Sequence, residues 1–356
     1  METTPLITIV CPSYNHGRYI GAFIESMLRQ TEPRWELIII DDVSSDENVE
    51  QAKKHKDPRI RLIERTHNRG VAAGMNDGVS LAKAPIVALL ASDDLAHPAY
   101  LRSVLKAFAS NPKAVAAYVA LAQIDEQGAP LASRTPLPSE DSHHLILRAS
   151  FLGQNQLPSP GMAVATDVAK SMHVPEGMVQ YSDWAWQNQV LLAGPVVLVR
   201  EELVSYRVSS SSLSALSLAR VARDQLETRI MMDGFLRIRD MAFLRQVFPE
   251  ETKPYASLPA VHIPYVLGRL ALLSDIHEKR CWGYETIMRH LSEPGMAESL
   301  KRHADFALKD LMVLAPTEAA GRMDEIRRLR RRLRHLRRWI IVLAAGLTFA
   351  LWAFLR

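Results

Sequence analysis

An α/β fold built on a mostly parallel sheet is predicted for the N-terminal part of this chain by three observations. Short apolar runs alternate with helix-like segments, those segments carry a single apolar face, and polar residues cluster directly after several of the runs. The chain has 356 residues, 48% hydrophobic and 23% charged, which is ample material for a core and excludes disordered, collagen-like and low-complexity architectures. Its two cysteines, Cys11 and Cys281, are too few for a disulfide scaffold and have no neighbours at zinc-site spacing, which points to a reducing setting.

Leu6 to Cys11 is the first predicted strand. Ile20, Phe23, Ile24, Met27 and Leu28 then fall on one helical face. After the second strand, Leu37 to Ile40, Ser44-Ser45-Asp46-Glu47 has the form of a capping box and predicts a helix starting there. Ile60 to Ile63, Ile86 to Ala91 and Val115 to Leu121 continue the strand series. Leu101, Val104, Leu105 and Phe108 mark a helix after Pro98. Asp125 to Asp141, rich in turn-forming residues, reads as an exposed loop or hairpin. From Leu213 to about Ala320 the pattern turns helical, with long amphipathic segments over Leu216 to Phe248 and Leu300 to Leu314, so a boundary is expected near Ser212.

The net charge of +4 is unevenly distributed. Gly321 to Arg338 holds nine arginines and two acids, which leaves the preceding 320 residues mildly acidic and argues against nucleic acid as a partner. Trp339 to Leu355 follows with seventeen uncharged residues, roughly 25 Å of helix, a short transmembrane anchor. Trp339 and Trp352 near its ends and the arginines before it predict a single span at the inner membrane with the body in the cytoplasm. Ile326, Leu329, Leu333, Leu336, Ile340, Leu343 and Leu347 are spaced as a coiled-coil seam through which a homo-oligomer could form; an amphipathic helix resting on anionic headgroups is the alternative. The predicted layout is therefore 1–212 sheet domain, 213–320 helical region, 321–338 basic amphipathic helix and 339–355 anchor.

In an open parallel sheet, ligands bind at the carboxyl ends of strands. Here the first run ends in Cys11-Pro12-Ser13-Tyr14-Asn15, the second in Asp41-Asp42 and the fourth in Ser92-Asp93-Asp94. Four carboxylates on one rim repel one another unless a cation compensates them, and Mg²⁺ or Mn²⁺ takes carboxylate oxygens together with substrate phosphates. No Walker A or G-x-G-x-x-G sequence follows these strands, so a metal-bridged diphosphate is expected in place of a glycine-rich cradle. Each acid pair taken alone could equally cap a helix.

The order of Val10-Cys11-Pro12-Ser13-Tyr14-Asn15, Trp35 through Asp46, Asn68-Arg69-Gly70 through Asn76-Asp77-Gly78, and Ala91-Ser92-Asp93-Asp94 followed by Pro98 resembles the family 2 glycosyltransferases of GT-A fold, over about residues 5 to 215. The resemblance implies that Pro12, Ser13 and Tyr14 frame the nucleotide, that Asp42 with Asp41 beside it bonds uracil or ribose, that Asn76 faces the donor, that Asp93 contacts ribose or donor sugar and that Asp94 ligates the divalent cation. Asp183, in Gln180-Tyr181-Ser182-Asp183-Trp184-Ala185-Trp186, matches the family's acidic motif and is the implied catalytic base; its bland alternative is a helix N-cap. Tyr206-Arg207 matches a further motif. Three positions depart from the pattern: Ser92 stands at the first D-x-D position, Met75 where many relatives have Arg, and Ser209 where many have His.

The resulting expectation is an inverting, metal-dependent, non-processive transferase moving a sugar from a nucleotide-sugar, UDP-linked, to a glycan or lipid-linked acceptor. A nucleotidyltransferase is disfavoured because Cys11 to Arg18 lacks the Gly-rich basic loop such enzymes carry. The competing class is a degenerate domain acting as a membrane-tethered scaffold, which Ser92, Met75 and Ser209 keep open.

Overall fold

In the computed structural model the described residues are 4–209, 218–304, 306 and 308–314. They belong to two units, Met1–Phe306 and Ala307–Arg356. The second is described only through one short helix, Leu308–Leu314.

Aliphatic and β-branched runs form β1 (Ile7–Ser13), β2 (Trp35–Asp41), β3 (Ile60–Glu64) and β4 (Ile86–Leu89). β1 pairs in parallel with β2 and β4, and β2 with β3. Ile7, Ile9, Val10, Cys11 and Leu37 to Ile40 are all buried. Helices cover both faces of a parallel sheet, so these strands read as continuous apolar runs. The covering helices are α1 (Ile20–Leu28), α2 (Asn48–Lys53) and α3 (Gly70–Leu81). α1 buries Ile20, Phe23, Ile24 and Met27, whereas Leu28 at its end is exposed.

Beyond β4 the sheet becomes mixed. β5 (Leu95–Ala96) and α4 (Tyr100–Ser110) lead to β6 (Ala116–Ile124), which turns into β7 (Pro130–Thr135), so the segment left open as loop or hairpin is a hairpin. β8 (Ala163–Ala165) lies antiparallel between β4 and β6, and β9 (Val196–Arg207) runs parallel to β6. The order is β3-β2-β1-β4-β8-β6-β9-β5, with β7 on β6, nine strands among the described residues.

Two boundaries differ from the sequence reading. α2 begins at Asn48, with Glu47 as an N-cap that makes no side-chain cap bond. Ser44, expected to cap it, instead accepts the Asn15 N–H on its Oγ at 2.9 Å, while its own N–H donates to Asp41 at 3.0 Å. The long amphipathic segment after Leu216 is broken into α8 (Leu218–Asp233), a short 3-10 turn at Gly234–Arg237 and α9 (Met241–Val247), whose N-cap Asp240 accepts the Ala242 N–H.

α5 (His143–Leu152), α6 (Thr166–Lys170) and α7 (Ser182–Ala193) join the sheet to α8, α9, α10 (Ile263–Ala271), α11 (His277–Ser292) and α12 (Met296–Ala304). Phe151 of α5 sits among Phe235, Phe248 and Trp282, at ring separations of 4.8, 5.1 and 6.3 Å. Lys279, fully buried, donates to the carbonyls of Ser150, Phe151 and Gly153 and lies 4.6 Å from the Trp184 ring. It caps the carboxyl end of α5, where a cation meets the helix dipole. Burial lowers its pKa to about 7.

Among the described residues no helix is long and apolar enough to cross a membrane. The segments 321–338 and 339–355, the seam 326–347 and the boundary near Ser212 lie outside the described residues.

Candidate active site

The carboxyl ends of β1 and β2 are locked together by side chains. Ser13 Oγ donates to Asn48 Oδ1 at 2.9 Å, and Asn48 Nδ2 donates to Asp41 Oδ1 at 2.7 Å. Asn15 Oδ1 accepts the Ser45 N–H and Asp46 accepts the Gly17 N–H, both at 2.8 Å. Asn15 and Val43 have φ of 54° and 66°, the non-glycine residues of positive φ among those described. Left-handed backbone at a β-branched residue costs on the order of 1–3 kcal/mol and persists only where its surroundings hold it. The strain sits where the two strands open the rim, and Tyr14 stands there half exposed.

Asp42 is the better satisfied of the first acid pair. Its Oδ1 accepts from the Arg65 guanidinium and the Arg69 N–H, each at 2.9 Å, and its Oδ2 from the Gly70 N–H at 2.7 Å. Burial raises its pKa, but these donors outweigh that and hold the carboxyl below the usual range. Asp42 thus anchors the start of α3. Arg65 also pairs with Asp77, and Arg69 with Asp77 and Glu176. Asn76 is committed to the backbone of Val174, donating to its carbonyl at 2.8 Å and accepting its N–H at 3.2 Å. It ties α3 to the segment before α7. Met75 is buried in α3.

Glycines bring α3 against β1. A Cβ on Gly74 would stand 2.9 Å from the Pro12 side chain, and one on Gly78 only 2.2 Å from Val10 Cγ1. Pro12 is thereby fixed against α3 near the carboxyl end of β1.

The acids after β4 have different surroundings. Asp93 keeps a fifth of its side chain exposed, 3.9 Å from His16 Nδ1, which in turn lies 2.8 Å from Ser92 Oγ. Asp94 is 1% exposed; Oδ1 accepts the Arg207 N–H at 2.9 Å and Oδ2 is buried with no partner. Burial first, and the Asp93 charge second, push the Asp94 carboxyl well up. Arg207 staples the pair in place: Nε donates to the Asp93 carbonyl, Nη1 to the Asp125 and Glu126 carbonyls, and the guanidinium lies 4.5 Å from the Tyr19 ring. Ser209 donates to Glu126 at 3.1 Å.

Asp183 is half-buried in the first turn of α7, after the N-cap Tyr181. Its carboxylate accepts the Trp184 N–H at 2.7 Å and a hydrogen bond from the Ser159 side chain. Burial raises its pKa despite these donors. The Ser159 segment runs back to β4, since the Gly161 N–H donates to the Leu89 carbonyl at 2.9 Å and the Met162 N–H to the Ser159 carbonyl at 3.2 Å. Trp184 and Trp186 are core residues.

Asp41 ends β2 and Asp42 follows it, Asp93 and Asp94 lie in the segment after β4, and Ser13 ends β1 between those strands with Tyr14 next to it. Asp183 is joined through Ser159 to the segment bonded to β4, and Asn76 is committed to the Val174 backbone. Sequence reading missed Arg65, His16 and Ser159, since nothing in their spacing marks them, and it saw Arg69 within a motif without its bond to Asp42. Arg207 was visible as half of a motif.

Among the described residues no group of three or more His, Cys, Asp or Glu side chains is placed to hold a metal ion. The donor set still fits a hard divalent cation in part: Asp94 Oδ2 lacks a partner and Asp93 opens to the rim. Two carboxylates leave coordination positions for diphosphate oxygens and water, the usual manner of Mg²⁺.

Residues 8–165 match the family described as glycosyl transferase family 2. The Escherichia coli UDP-Glc:alpha-D-GlcNAc-diphosphoundecaprenol beta-1,3-glucosyltransferase WfgD is 38% identical over 90 residues, 25% of this chain and 36% of that protein. The Escherichia coli chondroitin synthase is 31% identical over 130 residues, 36% of this chain and 19% of that protein. These matches thus span about a third or less of either relative's length. The crystal structure of S. aureus TarS 1-349 in complex with UDP-GlcNAc superposes with a TM-score of 0.56 at 15% identity, covering 88% of this chain and 92% of that one, which shows a shared fold. The mixed sheet with its flanking helices fits a GT-A fold, and residues 8–165 are similar to the glycosyl transferase family 2 domain.

Proposed function

We propose that this protein is an inverting, non-processive transferase that moves a sugar from a UDP-linked donor to a glycan or lipid-linked acceptor. One observation supports the reading above the others: acids follow the parallel strands β2 and β4 at their carboxyl ends, while Asp183, its pKa raised by burial, is tied through Ser159 to the segment against β4. The relatives named as UDP-glucose and chondroitin enzymes and the UDP-GlcNAc complex of TarS support a nucleotide-sugar donor.

Tyr14, exposed at the end of β1, offers a ring on which a base can stack, with Pro12 and Ser13 behind it. Asp41 and Asp42 shape the turn that receives the nucleoside. Asp93 and Asp94 would hold a divalent cation, Mn²⁺ or Mg²⁺, whose charge would neutralise the departing diphosphate. Asp183 takes the proton of the acceptor hydroxyl as that oxygen bonds to the anomeric carbon. The bond from that carbon to the diphosphate oxygen breaks, and its electron pair leaves with the nucleotide. A raised pKa suits a carboxylate to this work, because a base is most effective with a pKa near the working pH.

The test is Asp183→Asn. Turnover is expected to fall by roughly 10²–10⁴-fold, with UDP binding in Mn²⁺ unchanged by calorimetry. Undiminished transfer overturns the assignment of the base. Absence of any metal-dependent UDP binding in the unaltered protein favours the scaffold reading that Ser209 and Ser92 keep open.

The arginine-rich and apolar segments, 321–338 and 339–355, extend the proposal to a single-pass anchor at the inner membrane, body in the cytoplasm, with self-association along 326–347. Fractionation of the full chain against one ending at residue 320 tests this: only the full chain is expected in the membrane pellet.

A further inference from the structure

Glu227 is 5% exposed, and its carboxylate projects from α8 onto the backbone that leads into α7. One oxygen accepts the Val179 N–H at 3.0 Å, and the other accepts those of Gln180 and Tyr181 at 2.7 and 2.8 Å. These amides precede or begin the first turn of α7, so none has a partner within that helix. Three consecutive N–H groups aimed at one carboxylate form a nest, and the positive end of the helix dipole favours the anion there. A second tie comes from the same helix: the Tyr181 hydroxyl bonds the Asp224 side chain, and its ring packs edge-on against Trp184 at 5.2 Å. Asp183 is the second residue after Tyr181.

We propose that Glu227 is a positioning residue for sugar transfer: by holding the amides of 179–181 it fixes the first turn of α7, and with it the direction and charge environment of the Asp183 carboxylate. The proposal rests on the reading of Asp183 as base. Glu227 lies outside the matched family segment 8–165 and outside every motif visible in the sequence. Its negative charge acts on Asp183 in the same sense as burial, raising the pKa, against the hydrogen bonds from Trp184 and Ser159. The other charged groups of the neighbourhood are Arg220 and Asp224 of α8 and Glu278 of α11, which act on Tyr181, and Lys279 over the Trp184 ring. None of these lies on α7 itself, so the charge beside Asp183 is set by the helices packed against it.

The experiment uses the full chain carrying Glu227→Gln or Glu227→Asp. Hydrogen exchange at amides 179–181 reports the clamp, and the pH dependence of kcat/KM reports the base. With Glu227→Gln, faster exchange is expected at those amides. The acidic limb of the rate profile should move to lower pH, because a neighbouring negative charge has gone. A fall of roughly ten- to a hundredfold in kcat at unchanged donor KM should accompany it. Glu227→Asp keeps the charge and is expected to leave the limb in place while kcat falls. Amides that stay protected in the Gln variant overturn the proposal, and so does an unmoved limb once they are released. Should the Gln variant not fold, the Asp variant decides: an unchanged kcat overturns the proposal. Failure of the base assignment shows separately, as turnover retained by Asp183→Asn, and leaves the exchange result standing.

Discussion

Asp42 illustrates how a single side chain can be read correctly as important while its partners stay hidden. Its side chain and that of Arg65 are 9% and 8% exposed, so replacing Asp42 weakens three bonds at once, from Arg65 and from the Arg69 and Gly70 N–H groups, in a poorly solvated place where Asp77 is the other carboxylate on Arg65. Asp42→Asn is expected to cost about 3 kcal/mol at neutral pH, from urea unfolding midpoints. Because the folded pKa is lowered, this stabilisation is complete above the unfolded value of about 3.9 and is lost as pH falls through the folded one. The gap between variant and parent should therefore close below about pH 4. A gap constant from pH 7 to pH 3 contradicts the assignment. Asp94 has the opposite sign, since its raised pKa makes ionisation costly in the metal-free fold. Asp94→Asn should leave the metal-free protein at least as heat-stable at pH 8 as its parent, and should abolish the rise in Tm that Mn²⁺ with UDP gives the parent. The motif located both acids; which one is saturated and which holds a bare oxygen depends on Arg65, Arg69 and Arg207 arriving from elsewhere in the chain.

At the scale of elements, α3 is the most constrained. Ala is a better helix former than Gly by about 1 kcal/mol, so Gly78→Ala would stabilise a free helix. Here a Cβ at that position meets Val10 inside the core, a contact of 2.2 Å that neither partner can relieve easily. Overpacking of this kind costs about 1–3 kcal/mol, so the net expectation is a loss of stability, read as a lowered urea midpoint; a raised midpoint would show that α3 and β1 are not so close. The strands and helices from β1 to α4 were legible because both faces of that sheet are covered and the period is clean. The start of α2 was misread because Ser44 met the capping pattern while its Oγ is taken by the N–H of Asn15, which lies 29 residues away in the chain. β8 is three residues long, and so short a strand leaves no period to recognise.

For the molecule as a whole, the sheet and the helices α8 to α12 fall within one unit, Met1–Phe306, and share buried residues through α5 and α7. That unit holds a buried histidine pair far along the chain from the strand-end acids: His262 Nδ1 lies 2.9 Å from His290 Nε2, and His262 Nε2 lies 2.8 Å from Ser299 Oγ. Burial first, then the charge of His262, lowers the His290 pKa to about 4. Stability from keeping it neutral is complete above the unfolded value of about 6.5 and is lost as pH falls toward the folded one, by about 2 kcal/mol between pH 6.5 and pH 5. A falling urea midpoint over that range, less steep in His290→Gln, is the expected result. An equal slope in both proteins assigns the acid sensitivity elsewhere. Because the core is shared, tryptophan fluorescence and far-ultraviolet circular dichroism should report one transition.

Residue order alone determined the parallel part of the sheet, the placing of acids after its strands and the family likeness of residues 8–165, because hydrophobic period and strand-end chemistry are written locally in the chain. Only the tertiary structure decided how those acids are used. Asp42 is saturated by Arg65 and Arg69, Asp94 is enclosed by Arg207, Asn76 is spent on Val174, and the turn before Asp183 is held by Glu227. A carboxylate's charge state and direction depend on donors that folding brings to it, many of them from distant parts of the chain, and local patterning carries no record of those approaches.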